Sequence, residues 1–230
     1  MSDYAKKKIN KVVRGSKRAV YDKDKINTII DAGFIGFVSY IYEGTAISIP
    51  MAYSRIGENI YLHGSLKNRM LMGLLSTDQM SMTVMHLDAL VLARSGLHHS
   101  VNYRSVTLFG TTKIVEDKQK KVEILKSIIN FMVPDRWGSL RPIHEKEIKR
   151  TLVVEMKITD ASAKVRNVGV ADEKADYDTD VWAGLIPITQ TIGQPIRDKV
   201  LPDHIETPDH ILKYVDSFRN IQEKDIISAP

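Results

Sequence analysis

The chain has 230 residues, 43% of them hydrophobic, and a formal net charge of +5; that is enough apolar material for one domain of ordinary size with extensions. It has no cysteine, which excludes disulfides, thiolate nucleophiles, cysteine-ligated zinc and iron–sulfur clusters, so any redox chemistry must come from a bound cofactor. No stretch reaches the roughly 18 consecutive apolar residues of a membrane span and no secretory leader is visible, so a cytoplasmic protein is expected.

The positive charge is concentrated at the start. Residues 1–18 hold Lys6, Lys7, Lys8, Lys11, Arg14, Lys17 and Arg18 against Asp3 alone, so the remainder is close to neutral and offers no extended surface for a polyanion. The sequence predicts residues 1–17 to be a flexible, solvated basic leader; a nucleic-acid or anionic-membrane arm is the less favoured reading.

Asp22 is placed to cap a helix over Lys23–Ala32, with Ile26, Ile29 and Ile30 on one face and Gly33 as its stop. Strands follow over Phe34–Tyr40, Ala46–Tyr53 and Asn59–His63, parted by the turn signals Glu43-Gly44 and Ile56-Gly57-Glu58. A second helix is predicted over Leu66–Leu75, with Ser65 as a candidate N-cap. Further strands are read at Met80–Met85, Leu90–Ala93 and Val101–Val115, then a helix over Lys118–Met132, then strands at Thr151–Ile158 and Ala163–Val165. Many short strands without regular strand–helix alternation predict an antiparallel barrel or sandwich, mainly β with flanking helices, and no doubly wound sheet. Past Pro187 three prolines punctuate a polar stretch before an amphipathic His210–Asn220 whose apolar face is Ile211, Leu212, Val215 and Phe218; residues 188–230 are read as a C-terminal extension of an 18–187 domain.

Two segments concentrate chemistry. Tyr61 to Arg69 ends a strand, turns at Gly64-Ser65 and opens a helix carrying Lys67 and Arg69; free N–H groups, a hydroxyl and two cations within one turn suit a phosphate. A serine-capped helix with basic residues is also commonplace, so spacing alone leaves both readings open. Arg94 to Ser105 gathers polar residues where a buried strand should begin, and along it Asn102 and Arg104 face one way, Tyr103 and Ser105 the other. Such a strand lines a ligand or a subunit interface, or else is an edge. His98 and His99 point to opposite sides of an extended chain and share no metal, and no other spacing suggests a metal site. Ser65 lies in no GxSxG elbow, and no hydrolytic nucleophile is identified.

Taken together, Ile49-Pro50-Met51-Ala52-Tyr53, Tyr61-Leu62-His63-Gly64-Ser65, Leu90-Val91-Leu92-Ala93-Arg94-Ser95, His98 to Ser105, Ser162 to Arg166 and Val181-Trp182-Ala183-Gly184 resemble the pyridoxamine-5′-phosphate-oxidase-related flavoproteins, in the branch of the nitroimidazole-resistance proteins. The resemblance implies a six-stranded antiparallel split β-barrel that forms a homodimer with FMN at the subunit interface. It implies a flavin ring along Pro50, Met51 and Tyr53, and a phosphate at Gly64, Ser65, Lys67, Asn68 and Arg69. His63 would lie near the ring as the one candidate general acid, Asn102, Arg104 and Ser105 would complete the pocket, and Trp182 would come from the partner subunit. Where the family usually has a small hydroxyl residue before the arginine, this chain has Asn68, whose amide can still donate to phosphate. The implied activity is FMN-dependent transfer of electrons from a nicotinamide donor to a small acceptor, a nitroaromatic among the candidates. The alternatives are a non-catalytic flavin-binding or partner-binding protein and a split barrel that uses F420 or haem. The pattern of true pyridoxamine-phosphate oxidase for its own substrate is not reproduced.

Overall fold

The computed structural model describes residues 2–225, the side chains of 218–225 excepted, so Phe218 lies outside the described side chains. Among the described residues nine strands form one antiparallel network. Six are long: β2 (Ile35–Tyr42), β3 (Thr45–Ala52), β5 (Asn59–Ser65), β6 (Gln79–Leu92), β7 (Ser100–Ile114) and β8 (Thr151–Arg166). Three are short: β1 (Ala19–Val20) pairs with β8, β4 (Ser54–Ile56) with β5, and β9 (Gly184–Pro187) with β6. The path runs β3-β2-β6-β7-β8-β5-β4 and does not close. The six expected strands are thus present as the long ones, in a sheet of nine.

The chain separates into two compact units, one of residues 1–86, 103–132 and 141–166, the other of 87–102, 133–140 and 167–230. These divisions cut β6 and β7 and do not follow the sequence-based segmentation at 17 and 187.

In the first unit the helices bury the faces their spacing dictates. In α1 (Lys23–Asp31) these are Ile26, Ile29 and Ile30, and Asp22 accepts the Lys25 N–H as its cap. In α2 (Arg69–Thr77) they are Met70, Leu71 and Leu74, and in α3 (Lys118–Met132) Ile124, Leu125 and Ile128. Apart from the three of α3, these side chains join Val38, Tyr53, Leu62, Met82, Leu108, Val154 and Met156 from the sheet in one core. The Glu43-Gly44 turn works because both residues take positive φ, 48° and 77°.

The basic leader lies against the sheet, where the sequence had suggested a solvated segment. Tyr4 is buried and its N–H donates to Tyr21 O at 2.9 Å. Lys7 pairs with Asp160 at 2.7 Å. Asn10 is 2% exposed: its Oδ1 accepts Lys7 N–H at 2.7 Å, and its Nδ2 donates to Ala5 O at 2.9 Å and Ala161 O at 3.1 Å. The last of these bonds joins the leader to β8 and cannot be supplied by water at that depth. Asn10→Ala is therefore expected to cost about 1–3 kcal/mol by stranding those backbone groups; equilibrium urea unfolding of both forms checks this, and superimposed curves would return the leader to a loosely held segment.

In the second unit, Ala89–Leu92 of β6 pair with Gly184–Pro187 of β9, and α5 (Asp209–Asp225) buries Val215. Among the described residues no helix is long and apolar enough to cross a membrane.

Candidate functional site

The strand–turn–helix over His63–Arg69 is the best-formed candidate. β5 runs antiparallel to β8 to its last pair, Ser65↔Thr151, and the chain then turns into α2. The helix begins at Arg69, and its N-cap is Asn68, whose side-chain oxygen accepts the Leu71 N–H at 3.1 Å. Ser65, the sequence candidate for the cap, is three residues too early and stands exposed with its hydroxyl uncommitted to the helix. The cap explains why an asparagine precedes the arginine here: its oxygen holds the helix, leaving the Nδ2 hydrogens for another acceptor. It explains Gly64 as well, because a Cβ there would sit 3.0 Å from both Asn68 Nδ2 and Leu71 Cδ1.

Arg69 is poised by two aromatic residues that the sequence reading did not single out. Its guanidinium lies over the Tyr42 ring, 4.4 Å from the centroid. The Tyr40 hydroxyl, and after it Tyr42, holds the guanidinium pKa above its ordinary value. Tyr40 is nevertheless buried with its hydroxyl lacking a hydrogen-bond partner of sound geometry, so proximity to Arg69 stabilises the charge without satisfying the phenol. Two positions apart on β2, the two tyrosines share one face of the strand, but strand alternation alone does not say that this pair meets an arginine of another element.

His63 is half-buried on β5. Burial pushes its imidazole pKa down, so the ring is neutral near pH 7, and its Nδ1 is buried without a partner. A buried phenol on β2 and a buried imidazole nitrogen on β5, both unsatisfied, cost free energy unless something pairs with them. Lys67 is exposed beside them with no ion pair among the described residues.

The remaining expected residues fare differently. Pro50 is exposed on β3, opposite Phe37 of β2 at the free edge of the sheet, where a missing N–H costs nothing. Met51 packs against the core. Tyr53 does not face a ligand: it is fully buried, packs on Phe131 with ring centroids 5.8 Å apart, and donates its hydroxyl to Ile30 O, with burial raising its pKa strongly. Its role is structural.

Ser105 donates to Lys164 O at 3.4 Å, and Arg104 is half-buried beside it on β7. Asn102 is buried in the second unit and clamps the backbone at Val168, donating to its carbonyl at 3.1 Å and accepting its N–H at 3.3 Å. Trp182, also in the second unit, is 66% exposed, with its ring against Gly184.

His98 and His99 diverge as expected. His98 lies near Asp172 and Glu173, whereas His99 Nδ1 is 2.9 Å from Ser95 O. His98, Asp172 and Asp176 bring three ligand-type atoms within 4.8 Å. Asp172 is already committed, accepting the Arg94 backbone N–H and guanidinium at 3.1 Å.

Six long antiparallel strands, a cation-bearing strand–turn–helix and helices on the sheet define a protein of the pyridoxamine-5′-phosphate-oxidase-like split-barrel fold. Residues 22–165 match the family described as pyridoxamine 5'-phosphate oxidase, and the chain belongs to that family. Among solved structures, the flavocytochrome Anf3 from Azotobacter vinelandii is 34% identical with a TM-score of 0.86, over 90% of this chain and 97% of that one. The FAD- and haem-binding protein from Mycobacterium smegmatis is 26% identical with a TM-score of 0.81, over 86% of this chain and 97% of that one. A proposed 5-nitroimidazole antibiotic resistance protein from Bacteroides thetaiotaomicron shares the fold at 20% identity and a TM-score of 0.56, over 64% of this chain and 86% of that one. No curated protein matches the chain significantly.

Proposed function

We propose that this chain is a flavin-binding electron-transfer protein that works as a homodimer. The observation that carries the reading is the Gly64–Arg69 turn, with its cations, its free amide hydrogens and the unsatisfied Tyr40 hydroxyl and His63 Nδ1 nearby. These residues fit the phosphate end of FMN, or the same half of FAD, which the Mycobacterium smegmatis relative binds. The bound flavin supplies the redox chemistry that a cysteine-free chain lacks.

The side chains have separate tasks. Lys67 and Arg69 neutralise the phosphate, Ser65 and Asn68 Nδ2 donate to it, and the Tyr42 ring fixes where the guanidinium sits. His63, neutral at pH 7, offers a lone pair or an N–H to the cofactor, and is the candidate proton donor only if ligand binding raises its pKa. Dimerisation is supported by the outer face of β2 and β3, where Ile35, Phe37 and Ile41 are exposed and where Ile35↔Ala52 and Phe37↔Pro50 stand directly opposed.

A second reading adds haem, because the 34% identity to a flavocytochrome extends over nine-tenths of the chain, past the barrel into the C-terminal extension. Neutral imidazole is the fitting ligand chemistry, and His63 Nδ1 and His210 Nε2 are both buried without partners.

Absorption spectroscopy of the purified protein, with mass identification of the released cofactor and a pyridine haemochrome assay, tests both readings. A flavin spectrum supports the first, an added Soret band the second, and a colourless protein that takes up neither group sinks both. Arg69→Ala is expected to weaken flavin binding by about 1.5–3 kcal/mol, the worth of a charged hydrogen bond, while leaving apoprotein melting nearly unchanged. An unaltered flavin dissociation constant would remove Arg69 from the site.

A further inference from the structure

The leader and β8 form a second concave site within the first unit. A cavity of about 560 Å³ is lined by Arg14, Gly15, Ser16, Lys17, Arg18 and Lys164. It shares no residue with the Gly64–Arg69 turn. On β8, Thr151 at one end pairs with Ser65, whereas Lys164 near the other end pairs with Ala19.

Four of the six lining residues are cations and none is an anion. None of the four has an ion pair or a side-chain hydrogen bond among the described residues. Local backbone geometry gathers them: Gly15 takes φ 70° and ψ 37°, a left-handed turn that side chains resist, and Arg18 N–H donates to Gly15 O at 2.9 Å. The turn brings Gly15 close to Lys164, whose Nζ would lie 3.7 Å from a Cβ there. Arg166, two residues beyond Lys164, is buried; burial and then the charge of Arg18 push its pKa down. Like charges held this close repel one another, and an anion in the cavity would offset that repulsion. The volume suits a small molecule, and the near-neutral body of the chain offers no continuation for a long polyanion.

We propose that this cradle binds the phosphate groups of a nucleotide, at a site separate from the flavin-phosphate turn. The chemistry is that of a nucleotide that exchanges freely with solution, because a flavin whose phosphate sits on the Gly64–Arg69 turn has its diphosphate there, at the other end of β8.

The test is calorimetric titration of the protein as purified with pyrophosphate and with ADP, in the wild type and in a Lys17→Gln/Lys164→Gln variant. Wild type is expected to bind at least one probe, and the variant to bind it roughly tenfold or more weakly, with an unchanged melting temperature because neither side chain has a protein partner. No binding by wild type, or equal binding by the variant, overturns the proposal. Should the probes bind only after the resident cofactor is removed, and the variant lose FAD but retain FMN, the cradle is the flavin's own diphosphate site and the separate nucleotide site is overturned. Should the variant keep its full flavin content, the occupant is an exchanging nucleotide. Arg69→Ala separates the two sites: lost flavin with intact pyrophosphate binding would leave this cradle standing, and the converse would remove it alone.

Discussion

Replacing Gly110 with alanine is expected to destabilise the protein by roughly 3 kcal/mol or more, lowering its melting temperature by about 6–12 °C for a chain of this size. Gly110 is buried on β7 at a register shift: Phe109 pairs with Asp160, but Gly110 pairs with Ile158, leaving Thr159 as the extra residue of a bulge. A Cβ at Gly110 would meet the Lys157 carbonyl oxygen at 2.1 Å, its carbon at 2.9 Å and Met156 Cγ at 2.8 Å. The first two contacts are with backbone, so no rotamer change relieves them, and β8 would have to move away from β7 along a pairing that runs from Tyr103↔Arg166 to Ile114↔Val154. Both strands also position the residues near Lys164, so the damage would reach beyond the bulge. Gly138→Ala is the matched control, since a Cβ there meets nothing within 4 Å. Thermal unfolding followed by near-ultraviolet circular dichroism decides the matter; a Gly110→Ala protein melting within 2 °C or so of wild type would show that β8 has slack at the bulge.

The bulge also marks where sequence reading lost the fold. The core face of α1 was legible because its isoleucines recur at helical spacing, and α3 was read with its observed limits, Lys118–Met132, but with Val122 and Ile129 on its buried side where the structure buries Ile124. β8 was read as two strands with a gap because Thr159, Asp160 and Ser162 interrupt the apolar run. In the structure Asp160 and Ser162 are buried, and Asp160 is compensated by Lys7, about 150 residues away in sequence; no local pattern announces such a partner. β6 was divided for a related reason. Its buried positions are even-numbered through Val84 and odd-numbered from Ala89, so no single alternation covers it. The strand–turn–helix over His63–Arg69 was legible as a spacing of glycine, hydroxyl and cations, though its helix begins at Arg69 and not at Leu66. What fixes it, the Asn68 cap and the Tyr40 and Tyr42 contacts to Arg69, depends on side-chain placement that residue order does not encode. Tyr53 shows the opposite failure: it sits beside Met51 in a motif resembling a flavin-lining strand, yet the chain passes from β3 into β4 there and its ring enters the core.

Acidification is expected to expose a buried carboxylate as a measurable fraction of the stability. Glu155 lies on β8 between two strands, opposite Tyr61 of β5 and Lys113 of β7, and is 4% exposed. Burial alone would raise its pKa, but Lys120 Nζ at 2.8 Å, Lys113 Nζ at 2.9 Å and the Tyr61 hydroxyl at 2.9 Å outweigh it and bring the carboxyl down to about 2. The Tyr61 phenol is correspondingly pushed up to about 12, first by burial and then by this carboxylate. The folded state therefore binds fewer protons than the unfolded chain between the ordinary glutamate pKa and about 2, so the stabilisation is complete above that window and is lost as pH falls through it. The amount is on the order of 2–3 kcal/mol. Partly exposed carboxylates such as Glu147, also held at about 2 by Arg141, titrate in the same window, so the wild-type curve alone cannot assign the loss. The discriminating quantity is the gap between wild type and Glu155→Gln in urea-unfolding free energy. That gap should be widest near neutrality and narrow as pH approaches 2, because the glutamine, like the protonated glutamic acid, keeps one acceptor oxygen for a lysine but lacks the charge. A gap that stays constant from pH 7 to pH 2 would mean that Glu155 stabilises β8 through hydrogen bonding alone and that its two lysines, both largely solvated, contribute nothing through their charge.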